Sequence, residues 1–327
     1  MKLGKLRLAL ILSAAFVVFV FLNNVSWFGD DRGDGADPWI LAHRGLGQTF
    51  DLEGVDNDTC TAERIHRPRH SYLENTLPST RAAFDTGARV VELDVHLTKD
   101  DRFAVFHDWE LDCRTEGTGV TRDHTLAALQ RLDIGHGYTA DSGRTYPFRG
   151  KGIGLMPSLD QVLARFDDRE LLLHIKSNDP EEGVRLAQRL ERLPAARRDR
   201  LAVYGGDEPI AALRQRMPGL RTMSKATMTS CLGQYVALGW SGYVPDACRH
   251  TQVHLPEKIA PWLWGWPGKF VDRMESVDTR VVLVAGDGDV CSGFDSAADL
   301  RRLLDGYRGG VWTNRVDVVA ELLPEES

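Results

Sequence analysis

Arg89-Val90-Val91-Glu92-Leu93-Asp94-Val95, then His96 to Arg102, then Phe103-Ala104-Val105-Phe106-His107-Asp108: the fold of this chain turns on how these two apolar runs are joined. Only seven residues separate Val95 from Phe103. No crossover helix fits in that gap, so the runs Arg89–Val95 and Phe103–Phe106 pair as an antiparallel hairpin. Residues two apart on a strand share a face, so Glu92 and Asp94 project together. His107 and Asp108, at the end of the return run, are expected beside them.

Away from the hairpin, short apolar runs recur at Trp39–Ala42, Glu170–Lys176, Leu201–Tyr204, Leu220–Ser224, Gly242–Val244, Arg280–Val284 and Gly310–Thr313. With Arg89–Val95 they make eight. Helical patterns lie between several of them, at Thr76–Thr86, Ser158–Phe166, Glu181–Leu193 and Ala297–Leu304. Strands alternating with helices imply a parallel sheet, and eight such units imply closure into an α/β barrel. The hairpin Phe103–Phe106 is then an insertion after the second barrel strand.

The chain has 327 residues, 43% of them hydrophobic and 27% charged, with a formal net charge of −7. That balance supplies no broad basic face for phosphates and argues against a nucleic-acid partner. Nothing in the sequence marks a protein partner. Lys2, Lys5 and Arg7 precede an uncharged apolar run, Leu8–Leu22, that is prolonged to Phe28. This is the layout of a signal peptide or signal anchor. No small-x-small cleavage site follows the run, which favours an uncleaved anchor with the cations inside and the remainder extracytoplasmic, periplasmic or extracellular. The expected division is an anchor over 1–28, a linker over 29–37 and a barrel domain over 38–322. Beyond such a signal, disulfides are permitted. Cys231–Cys248 would close a short loop and Cys60–Cys113 would tie an early loop to a later one, leaving Cys291; five free thiols fit the sequence equally well.

Buried carboxylates are costly unless paired. Glu92 and Asp94 therefore need either a bound cation or an ion-pair network with Arg44 and Lys176, and on this segment alone the two accounts stand level. His43 and His107 both close strands at the barrel end where active sites sit. Two histidines, two carboxylates, an Arg and a Lys suit phosphodiester chemistry: proton exchange, charge neutralisation at phosphate, and a metal on the phosphoryl oxygens.

His43-Arg44-Gly45, Glu74-Asn75-Thr76, Glu92-Leu93-Asp94-Val95, Thr98-Lys99-Asp100 and His107-Asp108, in that order, resemble the signature of the glycerophosphodiester phosphodiesterase family. The likeness continues more loosely through Pro157-Ser158-Leu159 and Ile175-Lys176 to Val311-Trp312-Thr313-Asn314. It implies a (β/α)8 TIM barrel that hydrolyses a small phosphodiester to an alcohol and glycerol 3-phosphate. It implies His43 and His107 as the acid/base pair, Glu92 and Asp94 as ligands of one divalent metal, and Arg44, Glu74, Lys176 and Trp312 at the substrate.

Three departures stand out. His174 occupies the position where the family usually has a third acidic ligand. Calcium or magnesium is the metal the resemblance implies, whereas an imidazole ligand brings manganese, zinc or iron into range. The stretch from Gly47 to Leu73 is longer than usual and reads as a lid. Asn314 stands where an Asp is common. Two rivals follow: the same barrel acting on intact phospholipid, which the anchor and the Trp262, Trp264, Trp266 loop favour, and an inactive membrane-tethered binding protein, which His174 and Asn314 favour.

Overall fold

The computed structural model describes residues 2–25, 38–56, 59–288 and 292–323. The expected linker 29–37 and the thiol of Cys291 lie outside the described residues.

The strands are β1 (Trp39–Ala42), β2 (Val90–Leu97), β3 (Phe103–Val105), β4 (Glu170–Ile175), β5 (Leu201–Gly205), β6 (Arg221–Met223), β7 (Gln252–Pro256), β8 (Arg280–Val284) and β9 (Gly310–Thr313). All except β3 are parallel, in the order β6-β5-β4-β2-β1-β9-β8-β7. A single parallel bridge, Thr222 to Thr251, joins the two ends of that path and nearly closes the barrel. Strand β3 pairs antiparallel with the overhang of β2, Val95 facing Val105 and Leu97 facing Phe103.

The helices are α1 (Lys2–Asn24), α2 (Leu77–Asp85), α3 (Leu126–Leu129), α4 (Leu159–Arg165), α5 (Pro180–Leu190), α6 (Ala195–Arg198), α7 (Asp207–Arg216), α8 (Lys225–Leu238), α9 (Gly268–Glu275), α10 (Ala297–Leu300) and α11 (Val316–Leu322). Their starts are written locally. The side chains of Thr76, Ser158, Asp179 and Ser224 each accept a main-chain N–H in the first turn of the helix that follows, satisfying donors that have no partner within the helix. Segment Lys5–Asn24 of α1 is long and apolar enough to cross a membrane, with a mean hydropathy of 2.3.

Alternation on the strands separates two environments. Leu41, Val90, Leu172, Ala202, Val282 and Trp312 form a small cluster inside the barrel. Their neighbours Val91, Leu171, Val203, Val281 and Val311 join the large core with the surrounding helices. A separate apolar cluster packs Ala62, Ile65 and Leu73 against Phe106, Leu111, Tyr138 and Met156. So the long segment after β1 and the segment following the hairpin fold together as one cap beside the barrel mouth. The Cys60–Cys113 disulfide crosses this cap, and Cys231–Cys248 ties α8 to the turn before β7.

Two sequence expectations need correction. The sixth barrel strand is Gln252–Pro256, not Gly242–Val244. Gly242, at φ 85°, ends a short 3-10 turn, and Pro245 opens another three residues on, so those residues turn the chain rather than extend it. The last predicted helix, Ala297–Leu304, stops at Leu300.

Candidate active site

Carrying the inward parity of the strands one step beyond the internal cluster brings up His43, Glu92, Asp94, His174, Tyr204, His254 and Val284. These residues, with Arg44, His107, Lys176 and Trp312, surround a cavity of about 530 Å³ or its floor. The nine residues read from the sequence as site candidates converge here. Val55, Asp56, Thr59 and Thr61 of the long segment form part of the wall, as a lid would.

The turn after β1 takes two left-handed residues, Arg44 at φ 60° and Gly45 at φ 78°. A Cβ on Gly45 would meet Ser79 at 2.9–3.0 Å, so only glycine fits this approach to α2. The turn swings the Arg44 main-chain N–H onto Glu92 Oε2 at 3.1 Å. The Arg44 side chain meets Glu74 Oε1 at 3.1 Å and Asp94 Oδ2 at 3.5 Å. Asp94 also accepts from Asn75 Nδ2 at 2.9 Å, lies 2.9 Å from His174 Nδ1 and 3.4 Å from Lys176 Nζ.

Both carboxylates on β2 are fully buried, yet they titrate in opposite directions. Burial, followed by the charge of Asp94, pushes Glu92 up to about 8, although the Tyr204 hydroxyl donates to it at 2.9 Å. Burial also opposes ionisation of Asp94, but Lys176, His107, His174 and Arg44 together hold it well below the usual carboxylate range. The ion-pair account thus applies to Asp94. Glu92 is a buried carboxylate whose charge the protein alone does not stabilise, and that is the observation a bound cation would explain. Ligand atoms of Glu92, Asp94 and His174 lie within 4.8 Å of one another, so the donor set fits a divalent ion. His174 is held neutral for such a role, pushed down to about 4 by burial and Lys176.

The two acid/base candidates are oriented differently. His43 Nδ1 lies 2.7 Å from Asn314 Oδ1, and its Nε2 accepts from Arg44 Nε at 3.1 Å. Asn314 is fixed in turn by Asp295, which accepts from its amide Nδ2 at 2.8 Å and its main-chain N–H at 2.7 Å. Burial and Arg44 drive His43 well below its ordinary value. His107 Nδ1 lies 2.6 Å from Asp108 Oδ1, and Asp108 Oδ2 lies 2.8 Å from Arg114 Nε. Arg114 also reaches Glu74 Oε2 at 3.2 Å, donates to Thr61 Oγ1 at 2.6 Å and borders the disulfide half-cystine Cys113. Burial, Arg44 and Lys176 lower His107, with Asp108 working against them.

Tyr204, His254, Asp295 and Arg114 carry no role in the sequence reading, and Asn75 and Asp108 enter it only as motif neighbours of Glu74 and His107. Strand parity alone finds Tyr204, since Ala202 points inward. His254 was lost with the misassigned sixth strand; the alternation Val253-His254-Leu255 carries the signal. Its ring lies 5.4 Å from Tyr204 and 5.1 Å from Trp312, and burial pushes it down to about 3.

A parallel eight-stranded α/β barrel with histidines, carboxylates and cations gathered at the C-terminal ends of its strands defines the general class: a barrel protein with a site at the usual catalytic face. Residues 43–215 match the model of the glycerophosphoryl diester phosphodiesterase family. The chain belongs to that family. It is 36% identical over 124 residues to the glycerophosphodiester phosphodiesterase of Bacillus subtilis, a match covering 36% of this chain and 41% of the relative. It is 41% identical over 93 residues to that of Bacillus altitudinis, covering 28% of this chain and 34% of the relative. The chain therefore spans less than half the length of the curated relatives it matches. Among solved structures, the glycerophosphoryl diester phosphodiesterase domain of a Mycobacterium tuberculosis protein aligns with a TM-score of 0.61 at 19% identity, over 88% of this chain and 99% of that one. An Oleispira antarctica phosphodiesterase in complex with the product sn-glycerol-3-phosphate aligns with a TM-score of 0.55 at 17% identity, over 87% and 96%. At these identities the structural likeness concerns the fold.

Proposed function

We propose that this chain hydrolyses small glycerophosphodiesters to an alcohol and glycerol 3-phosphate at the barrel mouth. One observation carries the reading: two histidines, each with its own orienting partner, face one cavity over a buried carboxylate pair flanked by Arg44 and Lys176. Glu92, Asp94 and His174 would hold a divalent cation, which when bound supplies charge neutralisation at the phosphoryl oxygens. Arg44 and Lys176 offset the remaining phosphate charge. His107 accepts a proton on Nε2, and Asp108 stabilises the imidazolium so formed. His43, neutral and turned by Asn314, faces the same space and completes proton exchange between the attacking and leaving oxygens. Trp312, packed 4.6 Å from the His43 ring, walls the site and orients the substrate. Helix α1 anchors the chain, with Lys2, Lys5 and Arg7 on the cytoplasmic side and the barrel on the other.

The test supplies the full chain in detergent with glycerophosphocholine and, separately, with intact phosphatidylcholine. Release of glycerol 3-phosphate from the soluble diester, and little turnover of the lipid, is the expected result. Turnover of the lipid alone would overturn the substrate assignment. Turnover of neither would favour the binding-protein reading.

A further inference from the structure

Helix α1 is tied to the barrel at its C-terminal end, while the rest of its span is exposed. Asn23 and Asn24 donate through Nδ2 to the Trp240 carbonyl, at 3.1 and 2.8 Å. Lys269 Nζ donates to the carbonyls of Leu22 and Asn23 at 2.8 and 3.1 Å, and Arg273 Nη2 to that of Asn23 at 2.8 Å. Two cations thus cap the carbonyl end of the helix, where its dipole favours positive charge. Further back, the Phe16 ring meets the Trp240 ring edge-on at 5.2 Å.

These contacts fix a depth. The apolar stretch Lys5–Asn24 has 20 residues, about 30 Å of helix, which matches the hydrocarbon thickness of a bilayer. Phe16 lies seven residues before Asn23, about 10 Å along the axis. If α1 spans the membrane, the Trp240 side chain reaches below the polar end of the span.

The surface around that point is apolar and aromatic. Val236 is 53% exposed, Leu238 44%, Tyr243 53%, Trp264 37% and Trp262 84%. Two bonds join the tryptophan loop to α8: Trp264 Nε1 donates to the Val236 carbonyl at 2.8 Å, and the Tyr235 hydroxyl to that of Trp264 at 2.8 Å. Arg273 Nη1 links Tyr235, Gly239 and Asn24. The carbonyls of Val236, Trp240 and Trp264 are therefore satisfied within the protein, as a low-dielectric setting demands.

We propose that this rim (Val236, Leu238, Trp240, Tyr243, Trp262 and Trp264) is an interfacial seat that sits in the headgroup and upper acyl layer of the bilayer α1 crosses. Tryptophan and tyrosine collect at that depth because one end of each ring is apolar and the other polar. A patch of this kind beside a membrane-length helix has its occupant next to it, whereas on a free soluble surface it would be a liability. The loop that carries Trp262 and Trp264 begins after Pro256, a wall residue of the candidate active-site cavity. The seat therefore holds the cavity in a fixed relation to the lipid surface. The inference rests on the reading of α1 as a membrane span.

The full chain is reconstituted into phosphatidylcholine–phosphatidylglycerol liposomes, with and without brominated acyl chains. Flotation reports α1, and bromine quenching of tryptophan emission reports the seat. The parent and the Trp262→Ala/Trp264→Ala variant should both float, while the quenched fraction falls by about half in the variant because two of the three rim tryptophans are gone. Trp109→Phe, away from the rim, should not lower it. Trp262→Glu, at a position packing does not need, should reproduce much of the loss. Equal quenching in parent and double variant would overturn the seat while leaving the anchor intact. A parent chain that fails to float would overturn both.

Discussion

The two halves of the barrel mouth hold their histidines by different means. On the β1/β9 side, His43 rests on a neutral amide, Asn314, and stacks near Trp312 inside the barrel wall. On the hairpin side, His107 rests on a carboxylate, Asp108, which is anchored by Arg114 from the disulfide-bonded cap. An amide oxygen orients a ring and favours its protonated form only through one neutral hydrogen bond, whereas a carboxylate adds its full charge. Under the proposed function, the difference would suit His107 to hold a proton during turnover and His43 to stay neutral. It also makes one half of the site depend on the barrel and the other on the cap.

Removing a ring should have the largest effect. His107→Ala is expected to lower kcat about 10³-fold with the thermal midpoint nearly unchanged; near-parental kcat would remove the residue from the chemistry. Next comes its partner. Asp108→Asn keeps the shape but withdraws the charge, and should cost about 10²-fold in kcat, whereas Asn314→Ala on the other side should cost clearly less. If the two losses were equal, the contrast between the halves would collapse. Arg114→Gln should lower stability by about 3 kcal/mol in denaturant unfolding, because Asp108 keeps its buried charge without its arginine and Glu74 loses one of the two arginines it meets. Its kcat should fall together with that of Asp108→Asn, and the double variant should be far less than additive.

Asn314→Asp combined with Asp295→Asn, which leaves an amide to donate to the new carboxylate, would make the His43 side resemble the His107 side. A carboxylate beside the ring raises its pKa, so the acid limb of the pH–rate profile should move up by about one unit while the alkaline limb stays. A further effect concerns the floor. In chelator-treated protein, Glu92 titrates at about 8 folded and near its ordinary 4.5 unfolded. A raised acid favours the folded state fully below the unfolded value and loses that contribution as pH rises through 8. Stability of the metal-free chain should therefore decline from pH 5 to pH 8.5, by about 2–4 kcal/mol. Glu92→Gln should lack this decline, and a parallel slope in the variant would refute the assignment.

Much of this contrast was legible in the sequence. Seven residues between Val95 and Phe103 forced a hairpin, and the hairpin delivered His107 to Asp94, with the Phe106 N–H donating to the Asp94 carbonyl at 3.1 Å. Period-two alternation on β2 and β4 brought Glu92, Asp94, His174 and Lys176 together. Both disulfide pairings are among the options the sequence leaves open, beside free thiols. The signal failed at β7, where polar Gln252, His254 and Pro256 interrupt the apolar run that marks other strands. Arg114 was invisible for a different reason: its partners Glu74, Asp108 and Thr61 meet only through the tertiary fold of the cap. Asn314 read as a defect, yet it places the His43 ring through a hydrogen bond that an amide makes as well as an acid.

Glycerol 3-phosphate release from glycerophosphocholine, by protein stripped with chelator and resupplied separately with calcium, magnesium, manganese or zinc, tests the central claim most directly. The account predicts an inactive stripped enzyme and restoration by added divalent ion, with manganese or zinc at least matching calcium and magnesium because His174 replaces an oxygen ligand. Full activity after stripping, or none with any ion, would contradict it.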